Sequence, residues 1–223
     1  MGISLSEENY LKAIFHLEGT AKNGVSTNAI AEEMQTKASS VTDMVKKLSD
    51  KDLVKYRKYQ GVKLSPKGRK EAVKIVRNHR LWEYFLVEKL DFNWDQVHEV
   101  AEQLEHIKSE KLIHELDRFL GYPKRDPHGD PIPDEEGNFA KTSRILLSEC
   151  REGETAIVMG VKDSSASFLR YLDKNNIALG SKITLLHKED FDQSVLVETS
   201  EGQMSLSKKT AFNLFVKIQE NEG

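Results

Sequence analysis

VSTNAIAEEMQTKASSVTDMVKKLSDKDLV, residues 25–54, holds two short amphipathic helical patterns separated by a break at Thr36–Lys37. The first is capped near Ser26 or Thr27. In the second, Val41, Met44, Val45 and Leu48 form one apolar stripe, while Ser39, Ser40, Thr42, Asp43, Lys46 and Lys47 point elsewhere. Two short helices with a tight break make a helix-turn-helix pattern. Upstream, SLSEENYLKAIFHLEG has Ser4 or Ser6 as N-cap, acids Glu7 and Glu8 in its first turn and apolar residues at helical spacing up to Gly19. Downstream, LVKYRKYQGVKLSPKG alternates like two strands around Gln60–Gly61, and Pro66 opens a long helix through Leu81, Phe85 and Leu90. Helix, helix-turn-helix, hairpin and long helix describe a winged helix. The alternative is a generic α+β domain with a basic surface.

Charge favours the winged helix. The chain has a net charge of −3, yet residues 36–75 carry twelve Lys and Arg against four acids, a local +8 that leaves −11 elsewhere. A basic block that coincides with the second short helix and the hairpin points to local contact with a polyanion. Ser39, Ser40, Thr42 and Asp43 open the recognition helix as candidates for base contacts. Lys37, Lys46, Lys47, Arg57, Lys58 and Lys63 are candidates for phosphate contacts.

A second long helix is expected from about Trp94 to Leu120. Trp82, Phe85, Leu86, Leu104, Leu112 and Leu116 are expected to serve in a core or dimer contact. GYPKRDPHGDPIPDEEGN then holds four of the five prolines and reads as neither helix nor strand. Beyond Thr142 come strand-like runs, TAIVMGV, SKITLLH, SVLVETS and KTAFNLFVKI, with one helix, SASFLRYLDKNN, among them. Their size fits a small SH3-like barrel. The expected class is mainly α with a small β domain: winged helix 1–73, helical domain 74–121, Pro/Gly-rich linker 122–141 and barrel 142–223. One cysteine, Cys150, excludes an intramolecular disulfide and a multi-cysteine zinc site. Apolar runs are too short for a membrane span, and no basic segment followed by an apolar one opens the chain, so a cytoplasmic location is expected.

The candidate chemistry lies on the two long helices. His79 and Glu83 are i and i+4. With His98 as origin and about 100° per residue, Glu105 falls near −20°, Glu102 near +40° and His106 near +80°, one arc beside the apolar stripe. Clustered carboxylates and imidazoles at a core edge suit a divalent ion. The same residues also fit a solvated helix face. His16, His128 and His187 read as surface or structural, and His114 has no evident partner.

SEENYLKAIFHLEG, SSVTDMVKKLSDKDLV, LSPKGRKEA, NHRLWEYFL, VHEVAEQLEHI and HGDPIPDEEG occur in order. Together they resemble the diphtheria-toxin-repressor and manganese-transport-regulator family of metal-dependent transcriptional repressors; the last third resembles its SH3-like (FeoA-like) domain more weakly. The resemblance implies a homodimer on operator DNA. It makes His79, Glu83 and His98 ligands of an ancillary site and Glu102, Glu105 and His106 ligands of the primary site. Asn9 stands where the family has an amino-terminal ligand, a role that Glu8 could also take. Lys12 replaces a glutamate of the manganese-type two-metal site. Ser164 and Ser167 stand near the family's extra ligands from the barrel, with Asp163 the one acid close by. Glu102 stands where iron-responsive members have cysteine, so the hard oxygen favours Mn²⁺, with Fe²⁺ second. The expected function is a Mn²⁺- or Fe²⁺-activated repressor of metal-homeostasis genes. The rivals are a metallohydrolase using the His/Glu cluster and a winged-helix regulator of an organic ligand.

Overall fold

The computed structural model describes residues 2–19, 21, 23–57, 60–140 and 143–219. The chain divides into two compact units: Met1–His79 with Glu102–Leu116 and Pro133–Phe139, and Arg80–Ala101 with Asp117–Ile132 and Ala140–Gly223.

The first unit contains the winged helix. Helix α1 (Leu5–Glu18) starts in a capping box: Ser4 Oγ accepts from the Glu7 N–H at 3.4 Å, and Glu7 Oε2 accepts from the Ser4 N–H at 2.8 Å. Helix α2 (Thr27–Glu33) is capped by Ser26, whose Oγ accepts from the Ala29 N–H at 3.0 Å. Helix α3 (Ala38–Asp50) buries Val41, Val45 and Leu48 completely. Each of these side chains contributes roughly 1.5–3 kcal/mol by leaving water. That anchoring leaves the opposite face of α3 outside.

Strands β1 (Val54–Arg57) and β2 (Gly61–Leu64) form the expected antiparallel wing, with Val54 opposite Leu64 and Arg57 opposite Gly61. Gly61 has φ 78°, and a Cβ there would lie 2.7 Å from the Val25 carbonyl oxygen, so both conformation and space require glycine. Helix α4 (Pro66–Leu90) begins with Pro66 in its first turn. Ser65 Oγ accepts from the Gly68 N–H at 2.9 Å and donates to the Asp52 carbonyl at 2.6 Å.

The expected helix from Trp94 to Leu120 is not continuous. It is divided into α5 (Val97–Leu104) and α6 (Glu110–Phe119), with Glu105–Ser109 between them. The Ile107 N–H bonds the Leu104 carbonyl at 3.1 Å, a three-residue closure that tightens the end of α5. Asn78 Nδ2 donates to the Glu105 carbonyl at 3.1 Å, and Ser109 Oγ accepts from the Leu112 N–H at 3.3 Å as α6 begins. Side chains thus satisfy backbone groups that a continuous helix would have paired internally. Helical-wheel angles therefore do not extend past Leu104.

In the second unit, β3 (Ile145–Leu146), β4 (Thr155–Val161), β5 (Lys182–Lys188), β6 (Val195–Thr199), β7 (Gly202–Leu206) and β8 (Leu214–Ile218) run in the order β3-β8-β4-β5-β6-β7. Every neighbouring pair is antiparallel. Helix α7 (Ala166–Lys174) buries Phe168, Leu169 and Leu172 on the same core as Val158, Ile183, Leu185, Val197 and Val216. This is the antiparallel β-barrel domain expected after Thr142; Thr142 itself lies outside the described residues. KTAFNLFVKI is not all strand. Ser207 Oγ accepts from the Thr210 N–H at 3.2 Å, capping α8 (Lys208–Ala211), and the strand begins at Leu214. Among the described residues, no helix is long and apolar enough to cross a membrane.

Candidate metal centre and nucleic-acid interface

Glu105 is the centre of the first cluster. Its side chain is fully buried, and His79 Nδ1 donates to its Oε2 at 2.6 Å. The Lys12 ammonium lies 2.8 Å from its carboxylate and 3.3 Å from Glu102 Oε1. His106 Nε2 is 3.7 Å from Glu105 Oε1, an oxygen that also has the Lys12 ammonium at 2.8 Å. Burial alone would raise the Glu105 pKa. The His79 hydrogen bond and the Lys12 charge more than offset this, and the net shift is downward, so the carboxylate stays ionised.

Helix α1 reaches the same residues. His106 Nδ1 donates to Glu8 Oε2 at 2.6 Å, and its Nε2 faces Glu105. The second Glu8 oxygen is 3.3 Å from Lys108 Nζ. Contact from α1 to His106 thus runs through Glu8; Asn9, half-buried, is the next residue on that helix. A buried carboxylate, an imidazole nitrogen beside it and a second carboxylate at Glu102 fit the hard oxygen and nitrogen donor set of a divalent cation.

A second cluster lies in the other unit. Glu83, Asp126 and His128 are 2%, 3% and 6% exposed, and each directs one ligand-type atom to within 4.8 Å of the others. Glu83 also meets His98 Nδ1 at 3.3 Å. His128 Nδ1 is 3.5 Å from Glu83 Oε2, and its Nε2 donates to the Trp94 carbonyl at 2.8 Å, with the indole stacked on the imidazole. Asp126 Oδ1 accepts from the His128 and Asp130 N–H groups, both at 2.9 Å, and Oδ2 is 3.4 Å from Arg80 Nε. Complete burial, together with the Glu83 and Asp130 charges, pushes the Asp126 carboxyl up to about 7. Burial would lower His128, but the Glu83 hydrogen bond and charge and the Asp126 charge win, raising it to about 9.

Of the sequence-expected ligands, Glu102, Glu105, His106 and His79 thus come together around Glu105, and Glu83 meets His98. Of the two readings of His128, surface or structural, burial against Glu83 and Trp94 leaves the structural one. Asp126 was not among the expected ligands. The available signal was Asp126-Pro-His128, two ligand-type residues two apart in a Pro/Gly-rich loop where helical periodicity has no meaning. His114 also has a partner, Glu135 Oε1 at 2.7 Å.

The DNA-facing candidates are mostly outside. Lys37, Ser39, Ser40, Asp43, Lys46, Lys47, Arg57 and Lys63 are exposed, and Thr42 is half-buried, its hydroxyl donating to the Ala38 carbonyl at 2.9 Å. Lys58 lies outside the described residues. Lys37, Ser39 and Ser40 stand at the α3 N-terminus, whose unpaired N–H groups and dipole favour phosphate.

Three family models match the chain in succession. They are the iron-dependent-repressor N-terminal DNA-binding domain over residues 3–62, the iron-dependent-repressor metal-binding and dimerisation domain over 65–134, and the FeoA domain over 145–218. The iron-dependent repressor IdeR of Mycobacterium leprae is 32% identical over 159 residues, 68% of this chain and 69% of the relative. Among solved structures, a manganese-dependent transcriptional repressor in complex with manganese is 35% identical with a TM-score of 0.86, covering 96% of this chain and all of that one. The manganese regulator SloR is 32% identical with a TM-score of 0.75, covering 98% of this chain and all of that one.

Proposed function

Because this chain belongs to the diphtheria-toxin-repressor and manganese-transport-regulator family of metal-dependent DNA-binding repressors, we propose that it represses metal-homeostasis genes in response to Mn²⁺, with Fe²⁺ as the second choice. Glu102, Glu105 and His106 hold the regulatory ion, with Glu8 or Asn9 contributing from α1. His79, Glu83 and His98 serve an ancillary site. Residues 1–73 bind DNA, 74–121 bind metal and dimerise, and 142–223 form the FeoA-like domain.

One observation carries this reading. Glu105 and His106, two of the assigned ligands, are joined to the first helix of the winged domain by Lys12 and Glu8. A divalent ion supplies positive charge that carboxylates on both sides can share. Glu8 orients the His106 ring, His79 orients Glu105, and α1 is thereby tied to the turn after α5. Tying these elements selects one position for the winged helix, and in a homodimer it sets the spacing of two α3 helices for successive major grooves. All-oxygen and imidazole donors suit Mn²⁺ and provide no thiolate for softer metals.

The test is operator binding by the apo protein, followed by fluorescence anisotropy while Mn²⁺ is added. Binding that appears only with metal, and is lost in His106→Ala, supports the reading. Full binding without metal refutes it.

A further inference from the structure

The ammonium of Lys12 lies against two of the carboxylates assigned to the regulatory ion, 2.8 Å from Glu105 and 3.3 Å from Glu102. Its side chain is only 13% exposed, so this cation is held largely out of water and is not a loose surface charge. Glu105 has no exposed side-chain surface. A buried carboxylate left without a positive partner is costly. His79 provides one hydrogen bond to it, and Lys12 provides a full charge.

We propose that Lys12 is a resident cation of this site, and that metal binding is an exchange of one cation for another. In the metal-free protein the ammonium neutralises Glu102 and Glu105 and holds them close to each other. Loading the site breaks the two Lys12 ion pairs, and the lysine, keeping its proton, moves to solvent. The ion must therefore replace an existing interaction, so the free-metal concentration needed for loading is higher than the donor set alone would demand. Lys12 sets the response threshold. The same contact supplies a metal-free link between α1 and α5, through Lys12 and Glu102, which weakens the contrast between the two states of the repressor. This rests on the metal-site reading above and concerns the regulation of that site.

The experiment uses the full-length, DNA-free protein and measures Mn²⁺ affinity by competition with a fluorescent chelator. Lys12→Met is expected to tighten Mn²⁺ binding at least tenfold, equivalent to about 1.4 kcal/mol. Lys12→Arg, which keeps a cation, is expected to stay within about threefold of wild type. A lysine with a purely structural role would instead change the melting temperature and leave the affinity unchanged. A second readout is the acetylation rate of Lys12, followed by peptide mass spectrometry, which is expected to rise on Mn²⁺ saturation as the amine leaves the carboxylates. Unchanged affinity in Lys12→Met, or acetylation that stays slow at saturation, overturns the exchange. His106→Ala separates the two levels: its loss of Mn²⁺ binding beside an unchanged Lys12→Met overturns the exchange alone. Equal Mn²⁺ binding by His106→Ala and wild type overturns the metal site and the exchange together.

Discussion

Glu8 and His106 are 98 residues apart in sequence, and His106 Nδ1 donates a 2.6 Å hydrogen bond to Glu8 Oε2. The contact orients the imidazole so that Nε2 lies 3.7 Å from Glu105 Oε1. It couples the first helix of the DNA-binding domain to the turn that carries two assigned ligands. A carboxylate that orients a ligating histidine is also a part of the site that helical spacing does not reveal.

Glu8→Ala is therefore expected to raise the Mn²⁺ concentration needed for half-maximal operator binding about 10–100-fold, the usual cost of removing an orienting carboxylate. Anisotropy titrations of wild type and variant read it directly. A loss beyond about a thousandfold would make Glu8 a direct ligand, and no change would remove it from the site.

Operator binding by the metal-loaded protein is expected to weaken steeply with salt. Each phosphate contact contributes a slope of about −0.9 to the plot of log affinity against log salt. Lys37, Lys46, Lys47, Arg57 and Lys63 are all exposed. Replacing Lys46 with Ala should reduce the magnitude of the slope by about 1 per protomer. A slope near zero in wild type would contradict the assigned surface.

Glu102→Cys is expected to shift activation toward Fe²⁺, Co²⁺ or Zn²⁺ relative to Mn²⁺. The metal-bound thiolate keeps the charge of −1 and changes the softness of the donor. Glu102 is half exposed, so the substitution leaves the packed core intact. Anaerobic operator-binding curves against free Mn²⁺ and Fe²⁺ provide the ratio. A ratio equal to that of wild type would show that Glu102 does not set selectivity.

His128→Ala is expected to destabilise the metal-free protein by about 3 kcal/mol. It removes the imidazole that faces Glu83 and Asp126, leaving two buried acids with less compensation. Arg80 remains beside Asp126 and limits the loss. Urea denaturation measures it; a change below about 0.5 kcal/mol would mean that Arg80 alone satisfies the cluster.

Much of the architecture was legible because it is written in short-range patterns. Val41, Val45 and Leu48 recur at helical spacing, and all three are buried as that spacing requires. The wing follows from alternation and from Gly61, the residue that its positive φ and its approach to Val25 demand. Strand β7 was less legible: GQMSL alternates weakly, and its burial pattern is mostly exposed. The primary cluster was half legible. The residue types around His98 and Glu105 were apparent, but the wheel that grouped them assumed a helix that ends at Leu104.

By itself, the sequence determined which faces are apolar, where helices begin, and which segment carries the positive charge. Each depends on neighbours within one or two turns, where sterics, capping and hydrophobic spacing act locally. Tertiary structure alone decided that the helix breaks after Leu104, that His106 meets Glu8, that Lys12 neutralises Glu105, and that His128 is buried against Glu83. Those pairings join residues tens of positions apart. They form because burying a charge is costly unless a partner is brought to it, and only the packed chain determines which partner arrives.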